Sequence, residues 1–213
     1  MLKFCHLRYG MQTIPLIYGT IVDQKLHAGK PVAADGRYTV EDTVPAVTID
    51  RLKVRAERGK VIVVDTVGIS RRHFYAPFIE SCKTPGNDLW LVEPIYDDID
   101  VLDAFLGSAD RLVFPYTCIK NDSVLPDIID ISDQCVPLLV CRDGTYCGKD
   151  PVHLVEHLAG YGFHNIMVAD MDGSVPDERW EDMTDQCGGL ITYSPFRKIE
   201  KDVHILAEDV FPF

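Results

Sequence analysis

Val136 to Gly144 reads VPLLVCRDG, Thr145 to His164 reads TYCGKDPVHLVEHLAGYGFH, and Asn165 to Ser174 reads NIMVADMDGS. Two short all-apolar runs flank one amphipathic segment, Pro151 to Gly160, which glycine closes. That is a βαβ unit, and its strands are apolar throughout because parallel strands are buried on both faces. Polar residues stand just past the carboxyl end of each run, as Arg142-Asp143-Gly144 and as Asp170-Met171-Asp172-Gly173. In α/β folds, sites gather at those ends.

Working outward, the same unit repeats. Further strands are predicted at Thr13–Tyr18, Lys60–Asp65, Asp88–Glu93, Arg111–Pro115 and Gly189–Tyr193. Helices are predicted over Pro45–Arg58, Arg71–Cys82, Asp97–Phe105, Asp122–Ile131, Pro176–Cys187 and Arg197–Val210. The cadence predicts an α/β fold, a TIM-type (β/α) barrel forming a single domain over residues 1–213. An open doubly wound sheet is the alternative, disfavoured because no glycine-rich phosphate loop follows an early strand. Seven strands are evident, so the eighth is incomplete or atypical, or is supplied by the N-terminal LKFCHL. The long polar stretch Gly19 to Thr43 reads as a lid or a small hairpin.

Lys and Arg total 21 against 33 Asp and Glu, a net charge of −12 with no basic stripe, which argues against nucleic acid and anionic membranes. No apolar run reaches the ~20 residues of a membrane span, and the first residues are too polar for a signal peptide, so a cytoplasmic protein is expected. Seven cysteines without a CxxC pair fit reduced thiols. Cys135, Cys141 and Cys147 read as separate buried or loop thiols, and neither a metal nor a cofactor is expected.

Tyr18, Asp65, Glu93, Thr117, Cys118, Arg142, Asp143, Asp170, Asp172, Tyr193 and Ser194 stand at strand ends, which a barrel would bring to one mouth. Carboxylates gathered there raise one another's pKa and suit acid–base chemistry, or hold a divalent cation. The competing role for each is to cap a loop or helix. Asp170 is the candidate general acid/base, with Asp65 and Glu93 assisting; Arg37, Lys25, Arg142, Asp172 and Ser194 are candidate substrate-binding residues. Asp170-Met-Asp172-Gly-Ser174 also looks like the nucleophile motif of haloacid-dehalogenase-type phosphatases, but only 39 residues follow Ser174, too few for the remaining motifs. His153-Leu-Val-Glu156-His157 matches the HxxEH zinc pattern, yet on an amphipathic helix it reads as a solvated face. Cys141 beside Arg142 is a candidate thiolate and Lys120 a candidate Schiff-base amine; a core thiol and a solvated lysine are the favoured readings.

Several of these segments resemble the histidine-biosynthesis barrel family, the phosphoribosyl-formimino isomerase and its cyclase sister, and most closely the isomerase-related proteins of methanogens and methylotrophs. The segments are Ile14–Ile17, Lys25–Gly29 with Gly36–Tyr38, Val63–Asp65, Leu139–Gly144 and Val168–Asp170 with Asp172-Gly173. The resemblance implies a barrel and isomerase or lyase chemistry on a small phosphorylated or carboxylated metabolite, in the setting of one-carbon coenzyme synthesis. The chain departs from the family where its first-strand aspartate falls on Tyr18 and its fifth-strand carboxylate on Val140, leaving Asp170 as the acid–base position in common. Val92-Glu93-Pro94, Pro115-Tyr116-Thr117 and Tyr193-Ser194-Pro195 stand where the family has phosphate-cradling glycines. A non-catalytic barrel, serving as a binding or partner subunit and forming a homodimer, is the alternative expectation.

Overall fold

Lys60–Asp65 (KVIVVD) and Ile166–Asp170 (IMVAD) are buried almost from end to end, as strands sandwiched between two apolar layers must be. The computed structural model describes residues 12–22, 25–34, 37–41, 59–71, 82–83, 85–195, 199 and 205–209. Its strands are β1 (Gln12–Val22), β2 (Lys25–Ala34), β3 (Arg37–Glu41), β4 (Lys60–Asp65), β5 (Asp88–Val92), β6 (Arg111–Pro115), β7 (Cys135–Cys141), β8 (Ile166–Asp170), β9 (Leu190–Tyr193) and β10 (Ile205–Asp209). β1 and β4 to β10 pair in parallel in chain order, and β10 returns to β1, closing an eight-stranded barrel.

The eighth strand is β10. The expected helix Arg197–Val210 is corrected there, because Gln12 to Leu16 pair with Ile205 to Asp209. The N-terminal LKFCHL proposed for that place lies outside the described residues. β1 runs on past the barrel, and Tyr18 to Val22 pair antiparallel with Lys25 to Gly29. β2 then pairs with β3, so the stretch expected to be a lid or hairpin forms an antiparallel ribbon.

The helices are α1 (Thr66–Arg71), α2 (Asp98–Leu106), α3 (Leu125–Ile131), α4 (Pro151–Tyr161) and α5 (Asp177–Gln186). The helix expected over Pro45–Arg58 lies outside the described residues, as does all of the one expected over Arg71–Cys82 except its two end residues. Asp97 caps α2 by accepting from the N–H groups of Ile99 and Asp100. α4 begins with capping Asp150 and Pro151, and ends on Gly162 at φ 112, a left-handed conformation that a Cβ would strain.

Alternation along the strands divides the core in two. Ile14, Leu16, Ile62, Trp90, Val113, Val136, Met167 and Ile191 fill the barrel. Leu112, Phe114, Leu139, Cys141, Val168 and Leu190 face the helices, where Trp180 and Met183 of α5 meet them. Trp90 plugs the amino end of the barrel, with Arg111 stacked 4.7 Å and Lys60 5.5 Å from its ring.

Candidate functional site

Strand register decides which polar residues reach the carboxyl-end mouth, because each single step along a strand changes face. Val136, Leu138 and Val140 of β7 share one inward row, as do Ile62 with Val64 on β4 and Trp90 with Val92 on β5. The carboxylates that follow Val64 and Val92 in sequence therefore turn the other way.

The register Val64↔Val92, carried one step on, sets Asp65 beside Glu93. The register Val92↔Val113 likewise sets Glu93 beside Phe114, a member of the helix-facing core. Asp170 pairs with Cys141, which belongs to the same layer. Asp65, Glu93 and Asp170 are therefore all on the helix-facing side, and each is at most 1% exposed. The structure brings Asp65 to Glu93 and Asp170 to Asp172, but it does not bring the set together in the mouth.

Each carboxyl has a local task. Asp65 accepts from the Gly68 N–H at 2.9 Å and so caps α1. Asp170 accepts from Ser174 N–H at 3.0 Å and Val175 N–H at 3.3 Å. Burial raises Asp170 above the usual carboxylate range against the pull of those two N–H groups. Asp172 accepts from Asp143 N–H at 2.7 Å and from the Ser174 hydroxyl, and the Ser174 hydroxyl accepts from Gly144 N–H at 2.6 Å. Partial burial works to raise Asp172, but these donors hold it below its ordinary value. Together these bonds fasten the loop after β8 to the loop after β7.

The β7 loop is shaped for that contact by two successive tight turns. Arg142 and Thr145 exchange backbone hydrogen bonds at 2.9 Å, as do Tyr146 and Lys149. The central residues, Asp143 and Gly144 (φ 50 and 69) and Cys147 and Gly148 (φ 48 and 78), are left-handed, as type I′ turns require.

Glu93 is the most perturbed group. No N–H or hydroxyl of the described residues donates to its oxygens. Burial first, then the hydrogen bond and charge of Asp65 and the charge of Asp100, push it up to about 11. It is a neutral acid at pH 7, and its own proton is the donor to Asp65. Gly68 makes room for it: a Cβ there would lie 2.4 Å from Oε2.

The mouth itself is lined by the ends of the inward rows. These are Tyr18, Val64, Val92, Val140 and Tyr193, with Met171 packed against them. Tyr18 donates its hydroxyl to that of Tyr193 at 3.0 Å, in buried surroundings. Arg142 comes one residue past the end of β7, opens the first turn of its loop opposite Thr145, and is half-buried. Ser194 follows the helix-facing Thr192 row, and its buried hydroxyl has no hydrogen-bond partner among the described residues. Lys25 and Arg37 stand at turns of the ribbon, where Lys25 pairs with Val22 and Arg37 with Ala34.

The remaining sequence candidates fall elsewhere. His153, Glu156 and His157 line an open cavity of about 530 Å³ on the outer face of α4, together with Gly160 and Tyr161. His157 Nε2 lies 2.9 Å from Asp122, which also accepts from the Tyr116 hydroxyl at 2.7 Å. Nothing in the sequence announces this network, whose members come from three separate segments. Among the described residues, no three His, Cys, Asp or Glu side chains gather as a metal site. Lys120 is exposed.

Burial pushes the Cys141 thiol up to about 12, with Asp170 and Asp172 adding to it, so a thiolate there is ruled against. Cys135 is pushed equally high, while Cys147 is exposed on its turn. A thiol-exchange reagent at about pH 8 is expected to label Cys147 in the folded protein and to reach Cys135 and Cys141 only on unfolding. Peptide mass spectrometry reads the order; early labelling of Cys141 would contradict it.

No helix among the described residues is long and apolar enough to cross a membrane. No protein-family model matches the chain, and no curated protein is significantly similar to it.

Proposed function

We propose that this barrel is a binding module for a small metabolite with an apolar body and one anionic group, held at the carboxyl-end mouth. The observation that carries this reading is the placement of the acids. Asp65, Glu93 and Asp170 lie on the helix-facing side of their strands, while the inward rows end in aliphatic side chains and the Tyr18–Tyr193 pair. The half-buried Arg142, one residue past β7, is the cation we assign to the anion. Apolar walls with a few convergent polar groups suit binding and orientation. The resemblance to the phosphoribosyl-formimino isomerase family agrees with the barrel, but a shared fold carries no activity with it.

A thermal-shift panel of phosphorylated sugars, carboxylated sugars and pterin precursors tests this. At a hundred times Kd a ligand stabilises the native state by roughly 2.7 kcal/mol. The shift is expected to be lost in Arg142→Ala and weakened in Tyr193→Phe. A panel without any shift, or a shift indifferent to Arg142, would count against the reading.

One observation favours a second reading, an isomerase or lyase. The Tyr18 and Tyr193 hydroxyls, 3.0 Å apart, can relay a proton to an enolate oxygen. Solvent deuterium appearing in a bound carbonyl ligand, and ceasing in Tyr193→Phe, would support catalysis over binding alone.

A further inference from the structure

The outer face of α2 carries exposed apolar side chains. Val101 and Ala104 turn inward and are buried, while Ile99, Leu102 and Leu106 recur at helical spacing on the opposite side. Leu106 is 82% and Ile99 61% exposed, and the exposed Tyr96 lies two residues before the helix start. Isolated exposed apolar residues are ordinary, but three aligned on one helix face with an exposed tyrosine just ahead of them are not.

Among the described residues the rim is mainly acidic, with Lys83 paired to Asp110 just past the end of α2. Asp98 and Asp103 on α2, with Asp127 and Asp130 on the neighbouring α3, are exposed carboxylates. No Lys, Arg or His occurs in 96–110 or in 121–141. A second copy docked by a two-fold axis would set these carboxylates against their own counterparts, a like-charge contact. An anionic lipid surface would be repelled in the same way. A helix with leucines on one side and lysine or arginine beside them satisfies both the stripe and the rim.

We propose that the α2 face, Tyr96, Ile99, Leu102 and Leu106 within its acidic rim, is the docking surface for a basic amphipathic helix of another protein. The probe is a synthetic leucine–lysine peptide patterned to place leucine on one helical face, followed by fluorescence anisotropy. A scrambled peptide of the same composition is the control.

The patterned peptide is expected to bind at least about tenfold more tightly than the scrambled one. Leu102→Asp and Leu106→Asp should each weaken it about tenfold, and Asp98→Asn with Asp103→Asn should reduce its salt dependence. Equal binding of both peptides, or no effect of the leucine substitutions, would overturn the proposal. So would a dimer in sedimentation that Leu106→Asp dissolves, since the occupant would then be a second copy. A lower melting temperature of Leu106→Asp would overturn it too, because the side chain would be packed within the chain.

Discussion

Replacing Glu93 by glutamine is expected to raise stability at pH 7.5 by about 1–3 kcal/mol, or several degrees in Tm. The acid has an ordinary value of 4.5 and is pushed up to about 11 in the folded chain. Between those values the native state keeps a proton that the unfolded chain has released. Stability therefore falls as pH rises, with a limiting slope of about 1.4 kcal/mol per pH unit, and the penalty is absent below the unfolded value. The full slope would give about 4 kcal/mol at pH 7.5, and relaxation around the pair lowers it. Glutamine has no proton to lose, and its amide can donate to Asp65 as the acid does. Denaturant melts at pH 5 and pH 8 check this. The wild type should lose stability between them and Glu93→Gln should lose less; a glutamine variant less stable at both would contradict the neutral-acid assignment.

Asp170→Ala is expected to cost about 2–4 kcal/mol, because it removes the acceptor of two backbone N–H groups. Asp170→Asn keeps one acceptor and should cost less. The loss should appear as a lower denaturant midpoint with an unchanged slope. An alanine variant as stable as the wild type would mean that the carboxylate is not what holds the β8 turn.

The barrel was legible because its strands are apolar on both faces, as in Lys60–Asp65 and Arg111–Pro115, whose bounds the sequence predicts without error. That same property hides the site. A strand with one wet face announces by alternation where its last residue points. MVAD and IVVD do not, so nothing in them tells Asp170 or Asp65 from an inward residue. The mouth became readable only through register, from Asp170 opposite Cys141 and Asp65 beside Glu93. Ile205–Asp209 was missed for a related reason: a short apolar run among charges has no decisive period. Tyr18 and Tyr193 were visible as polar strand ends, but their meeting across 175 residues was not.

The most direct test of the account is calorimetric titration of a ligand from the thermal-shift panel into three proteins: wild type, Asp170→Asn and Arg142→Ala. If the carboxylates serve the fold and the inward rows with Arg142 serve the ligand, Asp170→Asn binds within about twofold of wild type and Arg142→Ala at least about tenfold more weakly. An Asp170→Asn protein that stays folded but no longer binds, beside an Arg142→Ala protein that binds normally, would place the site among the acids and contradict the account.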